Sequence, residues 1–430
     1  MSKSKSIAST FTPLSLLTLP DKKALQDEFV GRDISSLRTP ALILDRTKFK
    51  QNCERVTSEA KRRDLRFRAH VKTHKTSEGV RLQVQAGGGV RALVCSTMPE
   101  VWQVVASGVV HDGLVDDILY SLPIGEDKLE DLNDVQEKVG NKAIVRLMID
   151  HPAQVEAIQR FSERFGRNKP WSVFIKVDGG GKRAGLPPQS QQMKELVEAV
   201  LACSAVSIFG FYSHFGQSYA SKSLDNASDY FKGEIECVNS AAQVARSLGA
   251  KGDWILSVGA TPTAHAAVQE THQAMQGLEG ALELHAGNYC VCDLQQYATS
   301  LVAPTDLALT VIARVVSLYP HRNEAMCDCG ALAVSKDTGP FEGFGHVISP
   351  PHATAWDLGR ISQEHGTLTH RPKSSKVGDT SEQPGQLNVG DVVRIVPQHA
   401  CLVCAGHPWI YVVEDGGETV VDVWVPWKGW

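Results

Sequence analysis

The chain has 430 residues, 42% of them hydrophobic and 21% charged, with a formal net charge of −4. At about 150 residues per domain, that length predicts two or three domains with a large buried core and excludes a disordered chain. No basic stripe is present and no apolar run reaches the roughly 18 residues that span a bilayer, so neither nucleic acid nor a membrane is an expected partner.

The chain begins Met1-Ser-Lys-Ser-Lys, followed by an apolar patch over Leu14–Leu19 between Pro13 and Pro20. The patch is too short and polar for a signal peptide. Arg32 is the first arginine and Asp21, Asp27 and Glu28 precede it, unlike a basic transit peptide. A cytoplasmic protein with a flexible leader is expected. In that setting the ten cysteines, among them the pairs Cys290/Cys292, Cys327/Cys329 and Cys401/Cys404, are expected as reduced thiols or metal ligands.

Residues 41–45 (Ala-Leu-Ile-Leu-Asp) read as a buried strand after Pro40, and Phe49, Cys53, Val56 and Ala60 have helical spacing. Short apolar runs then recur near 67–72, 91–95, 116–120, 142–149, 172–178, 206–213, 254–258 and 281–285, with helical patterns between them. One helix start is explicit: Thr97 followed by Glu100 is a capping box. Eight such strand–helix units predict a (β/α)8, TIM-like barrel; an open doubly wound sheet uses the same units. After about residue 300 the texture becomes β-rich, over 307–318, 325–335, 392–396, 409–413 and 420–425, with a polar loop at 371–388. The expected division is a barrel over 46–300, with 1–45 and 301–430 forming an N-terminal extension and a C-terminal β-domain.

Barrel enzymes place their catalytic groups where strands end. The predicted strand ends carry Lys72, Asp150, Asp178 with Gly179-Gly180-Gly181-Lys182-Arg183, Tyr212-Ser213-His214, Gly259-Ala260-Thr261-Pro262 and His285-Ala286-Gly287-Asn288-Tyr289. Polar and glycine residues thus collect at one face, which favours the barrel. The loops after strands seven and eight hold phosphates in such barrels, and here they carry Gly259, Thr261, Gly287 and Asn288. His70-Val71-Lys72 alternates like a strand, so Lys72 is expected to point into the barrel mouth. Burial and the cations of His70, His74, Lys75 and Arg183 would lower its pKa and make its amine nucleophilic. Lys75 is the rival lysine, but it falls beyond the expected strand end, which favours Lys72.

These stretches, together with Thr39-Pro40-Ala41-Leu42-Ile43-Leu44-Asp45, Lys176-Val177-Asp178 and Arg183-Ala184-Gly185, resemble the D-serine dehydratase/D-threonine aldolase family. These are fold-type III pyridoxal phosphate (PLP) enzymes with an alanine-racemase-like barrel and β-domain. The resemblance implies that Lys72 holds PLP as a Schiff base. It implies Arg183 near the phenolic oxygen and Tyr212 and His214 against the ring. Tyr219 would be a further cofactor contact. Gly259, Thr261, Gly287, Asn288 and Tyr289 would line the phosphate. His285 stands where racemases put an arginine, at the pyridine nitrogen.

The stretch Pro397-Gln398-His399-Ala400-Cys401 supplies a second constellation. On a strand, His399 and Cys401 would share one side, and imidazole with thiolate suits zinc. The family's dehydratases bind zinc through His-x-Cys, whereas its aldolases have aspartate in the second place and favour harder metals. Cys404 and His407 are spare candidates. The resemblance therefore implies PLP- and zinc-dependent dehydration of D-serine to pyruvate and ammonia, in a homodimer. D-threonine aldolase, 3-hydroxyaspartate dehydratase, amino-acid racemase and non-catalytic PLP carrier remain as alternatives.

Overall fold

The computed structural model describes residues 18–267, 277–371 and 385–430. The leader up to residue 17 and most of the expected loop at 371–388 fall outside them. The described chain packs as two compact units: Cys53–Gly287 with Trp427–Trp430, and Leu19–Asn52 with Asn288–Pro426. Residues 46–52 and 288–300, read with the barrel in the sequence, pack with the second unit.

The N-terminal part of the second unit opens with α1 (Lys22–Phe29), capped by Asp21. It continues into β1 (Ala41–Asp45), buried along its whole length. Helix α2 (Arg46–Arg62) follows, and the predicted stripe Phe49, Cys53, Val56 and Ala60 is buried.

The first unit is a closed barrel of eight parallel strands. They are β2 (Arg66–His70), β3 (Ala92–Cys95), β4 (Asp117–Pro123), β5 (Ile144–Ile149), β6 (Trp171–Val177), β7 (Val206–Ser213), β8 (Trp254–Val258) and β9 (Gly280–Ala286). Closure is made by β2 pairing with β9 in parallel, Phe67 opposite Leu284. Each strand lies within a few residues of its predicted run. Near-continuous apolar sequence is what a parallel strand covered on both faces requires. The helices between them are α3 (Ser77–Gln85), α4 (Met98–Ala106), α5 (Leu129–Val139), α6 (Pro152–Phe165), α7 (Gln191–Ala202), α8 (Leu224–Ser247) and α9 (Thr261–Ala267). Thr76, Thr97, Ser190 and Ser223 cap four of them through their hydroxyls. At Thr97 the expected box is rearranged: the Glu100 carboxylate accepts from Ser96 N, 2.6 Å away, one residue before the cap.

The barrel interior is polar on one layer. Arg68 is ion-paired to Asp117 (2.6 Å) and Glu283 (2.8 Å), and Arg146 also pairs with Asp117 (2.7 Å). Two cations and two carboxylates leave this layer formally neutral, and each charge is hydrogen-bonded, the condition for burying ions.

The second unit is a nine-stranded sheet in the order β11-β14-β13-β12-β15-β10-β1-β16-β17. Its further strands are β10 (Leu309–Tyr319), β11 (Glu324–Cys327), β12 (Gly345–Ser349), β13 (Trp356–Ile361), β14 (Gly366–His370), β15 (Val392–Pro397), β16 (Ile410–Val413) and β17 (Asp422–Trp424). Strands β12–β14 have no counterpart among the predicted runs, because their outer positions are polar or glycine and the apolar signal is short. The predicted run 325–335 is not one strand. It ends at Cys327 and turns into α11 (Ala331–Val334), where Gly330 lies so close to Gln363 that a Cβ would meet its carbonyl at 2.5 Å. The short helices α10 (Leu294–Tyr297) and α12 (Ala400–Gly406) complete the unit. No helix among the described residues is long and apolar enough to cross a membrane. None of the ten cysteines is in a disulfide.

Candidate active site

Lys72 does not end a strand, as the sequence suggested. Strand β2 stops at His70, and Val71–Lys75 form a turn closed by Lys75 N–H donating to Val71 O at 2.9 Å. The reason is local: the Lys72 amide donates to Nδ1 of His70 (3.3 Å) instead of to a neighbouring strand. Trp427 N–H donates to Lys75 O at 2.7 Å, so the chain's last residues fasten this turn. The two lysines then part ways. Lys75 is ion-paired to the buried Glu100 at 3.1 Å, whereas no partner of the half-buried Lys72 amine is found among the described residues.

The loop after β6 is built around its acids. Asp178 Oδ1 accepts from the amides of Gly180 and Lys182, both at 3.0 Å, and Asp150 Oδ2 accepts from Gly185 N at 3.1 Å. Gly185, with φ +99°, passes so near Asp178 that a Cβ would meet its nitrogen at 2.8 Å. The strand-end aspartates therefore shape the loop that carries Arg183, which is exposed.

Tyr212 and His285 stack with ring centroids 3.9 Å apart and planes 13° from parallel. His214 Nδ1 lies 2.7 Å from the carbonyl of Gly259. Gly259 has φ +149°, and a Cβ there would meet His285 O at 2.1 Å, so only glycine fits. Tyr219 is half-buried in the 3-10 turn Gly216–Ala220 after β7. Thr261 opens α9, and its buried Oγ1 has no hydrogen-bond partner among the described residues; the same holds for His285 Nε2. At Gly287 a Cβ would stand 3.2 Å from the His70 Cβ. The expected barrel residues thus all lie at or just beyond the C-terminal strand ends.

Two charged residues have no role in the sequence reading, although Lys176 lies in one of its matching stretches. Lys176, next to last in β6, is buried with its ammonium 4.2 Å from the Tyr212 ring centre. Burial first, then Arg183 and Lys72, push its amine down to about 7, against the pull of Glu234 and Asp150. Glu234, buried in α8, accepts from Phe215 N at 2.7 Å, and burial pushes its carboxyl up to about 7. A lysine inside an otherwise apolar strand was the visible signal for the first; nothing local marks the second. His70, His214 and His285 are all driven well below the usual histidine range, by burial first and then by neighbouring cations.

In the second unit, Asn288 and Tyr289 form a buried 3-10 turn, and Asn288 Nδ2 donates to Asp293 Oδ2 at 2.5 Å. The same oxygen accepts from Ala400 N at 2.8 Å. That contact fixes the start of α12. His399 and Cys401 are therefore not strand neighbours: β15 ends at Pro397, His399 is the N-cap of α12 and Cys401 lies in its first turn. Ala400 N is taken by Asp293, so the strand cannot continue. Cys401 remains near enough to the His399 ring to act on it electrostatically. His399 Nδ1 lies 2.5 Å from Asp337 Oδ2, a residue the sequence did not single out. Burial opposes charge on His399, but Cys401 and Asp337 raise its pKa to about 9. Cys404 is buried, and His407 Nε2 bonds the Ala333 carbonyl at 2.9 Å. Among the described residues no cluster of three or more His, Cys, Asp or Glu side chains could hold a metal ion.

Comparison with known proteins agrees with this architecture. The alanine racemase N-terminal domain model matches residues 44–276, and the serine dehydratase domain model matches residues 308–413. The fold and the lysine-bearing barrel mouth thus define an alanine-racemase-like enzyme. The D-serine dehydratase of Schizosaccharomyces pombe is 38% identical over 416 residues, covering 95% of this chain and 96% of that one. The D-serine dehydratase of Saccharomyces cerevisiae is 32% identical, over 94% and 99% of the two chains. The chain belongs to the D-serine dehydratase family. Among solved structures, D-threo-3-hydroxyaspartate dehydratase from Delftia sp. HT23 superposes with a TM-score of 0.78 at 26% identity, covering 93% of this chain and 100% of that one. A cysteine-to-alanine variant of that enzyme has been solved in a metal-free form.

Proposed function

We propose that this protein is a D-serine dehydratase that converts D-serine to pyruvate and ammonia, with PLP attached at Lys72 and zinc held by His399 and Cys401. The observation that carries the activity is the 38% identity, over nearly the whole chain, to the S. pombe D-serine dehydratase.

The barrel residues fit the cofactor. Lys72 offers an amine with no partner among the described residues. Thr261 Oγ1 and His285 Nε2 are buried polar atoms awaiting one. A phosphate would take the Thr261 hydroxyl, with Gly259 and Gly287 allowing close backbone approach; Asn288 and Tyr289 join this set by the resemblance alone. Tyr212 and His285 offer a flat stacked surface, and Arg183, His214 and Tyr219 complete the lining. When bound, PLP supplies an electron sink for the charge left at Cα.

The Lys72 amine removes the Cα proton as general base. Lys176 and Arg183 add positive charge at this end of the barrel. The neutral His214, anchored on Gly259 O, orders the rim without adding charge. Loss of the Cα proton and the β-hydroxyl gives an enamine that hydrolyses to pyruvate and ammonia, so the water lost is returned.

Hydroxide leaves poorly, and zinc held by His399 and Cys401 would supply Lewis acidity. An imidazole with a thiol suits that ion, and Asp337 holds His399 through Nδ1, which orients Nε2 as a ligand. The metal-free cysteine variant of the Delftia enzyme supports a metal in this branch. A homodimer located in the cytoplasm completes the proposal, supported by the resemblance and the absence of disulfides.

The test is to incubate the purified protein with D-serine, D-threonine and D-threo-3-hydroxyaspartate, with and without zinc. Pyruvate and ammonia from D-serine are expected. Glycine and an aldehyde from D-threonine, without turnover of D-serine, would overturn the assignment in favour of an aldolase.

A further inference from the structure

Histidine tautomers follow from partners that can only donate or only accept. A carbonyl only accepts, so His214 carries its proton on Nδ1, toward Gly259 O at 2.7 Å. A backbone amide only donates, so His70 accepts from Lys72 N at Nδ1 and is protonated at Nε2, 3.1 Å from Ser96 Oγ.

His285 is settled by a longer chain. Its Nδ1 lies 3.0 Å from Ser257 Oγ, and that oxygen lies 2.8 Å from Glu283 Oε1. Arg68 donates to both oxygens of Glu283, at 2.8 and 3.2 Å. A carboxylate clamped by a guanidinium accepts only. The single Ser257 proton therefore goes to Glu283, and Ser257 is left to accept from His285 Nδ1–H. Arg68 is itself fixed by Asp117 at 2.6 Å, which also holds Arg146. All of these groups are buried. The other nitrogen of His285, Nε2, is buried without a hydrogen-bond partner among the described residues, beside the stacked Tyr212 ring.

We propose that Ser257 and Glu283 are positioning residues that lock His285 in its Nδ1-protonated neutral tautomer, so that Nε2 meets a bound ligand only as a hydrogen-bond acceptor. The matching ligand group is a nitrogen heterocycle bearing N–H, such as a pyridinium. For the identity of that heterocycle the inference rests on the PLP assignment. It adds that the site selects the ring in its N-protonated form, the stronger electron sink, without a carboxylate at that position.

The experiment is long-range 1H–15N spectroscopy of the holoenzyme and the cofactor-stripped protein, both labelled with 15N-histidine, with His285 assigned by its loss in His285→Asn. In both forms Nδ1 is expected protonated and Nε2 unprotonated, and cofactor binding shifts the Nε2 resonance as it accepts a hydrogen bond. Ser257→Ala and Glu283→Gln should move the proton to Nε2 wholly or in part, while Ser257→Thr, which keeps the hydroxyl, retains the original pattern. A wild-type ring protonated at Nε2 or at both nitrogens overturns the proposal, as does an unchanged tautomer in both disruptive variants. If one of these does not fold, the other and the wild-type spectrum decide. Absence of a visible cofactor band would sink the PLP assignment while leaving the tautomer result standing, so the two failures are distinguishable. An Nε2 resonance that ignores cofactor binding overturns the pyridinium half alone.

Discussion

The ammonium of Lys75 stands 3.1 Å from the buried carboxylate of Glu100. That carboxylate also accepts from Ser96 N, so one acid both braces the start of α4 and neutralises the second lysine of the turn. Lys72, three residues earlier, is left as the available amine. The two lysines look interchangeable in the sequence, and this contact separates them.

Their substitution should separate them too. Lys72→Ala is expected to lose the visible cofactor absorbance and to reduce D-serine turnover by at least the roughly 10²–10⁴-fold that a general base contributes. Lys75→Ala should keep the absorbance and lose stability, by about 1–3 kcal/mol for the carboxylate left without its partner. Absorption spectra and urea unfolding of the two variants check this, and a cofactor band that survives only in Lys72→Ala would reverse the assignment.

Asp337 holds His399 through Nδ1. Asp337→Ala should weaken zinc binding by about 10–100-fold, as loss of an outer carboxylate does. Cys401→Ala should remove it. Metal content after dialysis, measured by elemental analysis, gives the result. Chelation of the wild type should stop pyruvate formation while the cofactor band persists; full activity in metal-free enzyme would exclude the zinc role.

At Gly259 even a methyl group is excluded, since its Cβ would meet His285 O at 2.1 Å. Gly259→Ala is expected to destabilise the protein by about 1–3 kcal/mol, the usual range for overpacking. It should also weaken the cofactor, because the loop that holds His214 must move. Thermal unfolding and cofactor titration measure the two effects separately.

Lys176 has its amine pushed from the ordinary 10.5 down to about 7. Between those values the unfolded chain holds a proton that the folded chain has released. Stability contributed by this group therefore rises with pH across that window, and the cost of its burial is fully present below about 7. Urea midpoints of wild type and Lys176→Met should diverge most near pH 7 and converge toward pH 10.5. A constant difference across that range would show that Lys176 does not titrate there.

The eight strands of the barrel were readable because a buried parallel strand needs a continuous apolar run, and such a run is local in sequence. Helix starts at Thr97 and the helical stripe from Phe49 to Ala60 were readable for the same reason. Strands β12–β14 were not, since their burial depends on neighbours far along the chain and their own apolar signal is weak. The His399/Cys401 pair was found on a mistaken premise. The segment is a helix start, with His399 as its cap and Cys401 in its first turn.

By itself the sequence determined the barrel, the lysine-bearing segment at its mouth and the rim of glycines and hydroxyls. Only the tertiary structure decided which lysine is neutralised, that Lys176 is buried and that Asp337 holds His399. It alone decided which nitrogen of His285 is hydrogen-bonded, through a chain whose Arg68–Glu283 link joins residues 215 apart in sequence. Periodicity along a chain records burial, whereas a proton's position depends on which donors and acceptors meet when the barrel closes.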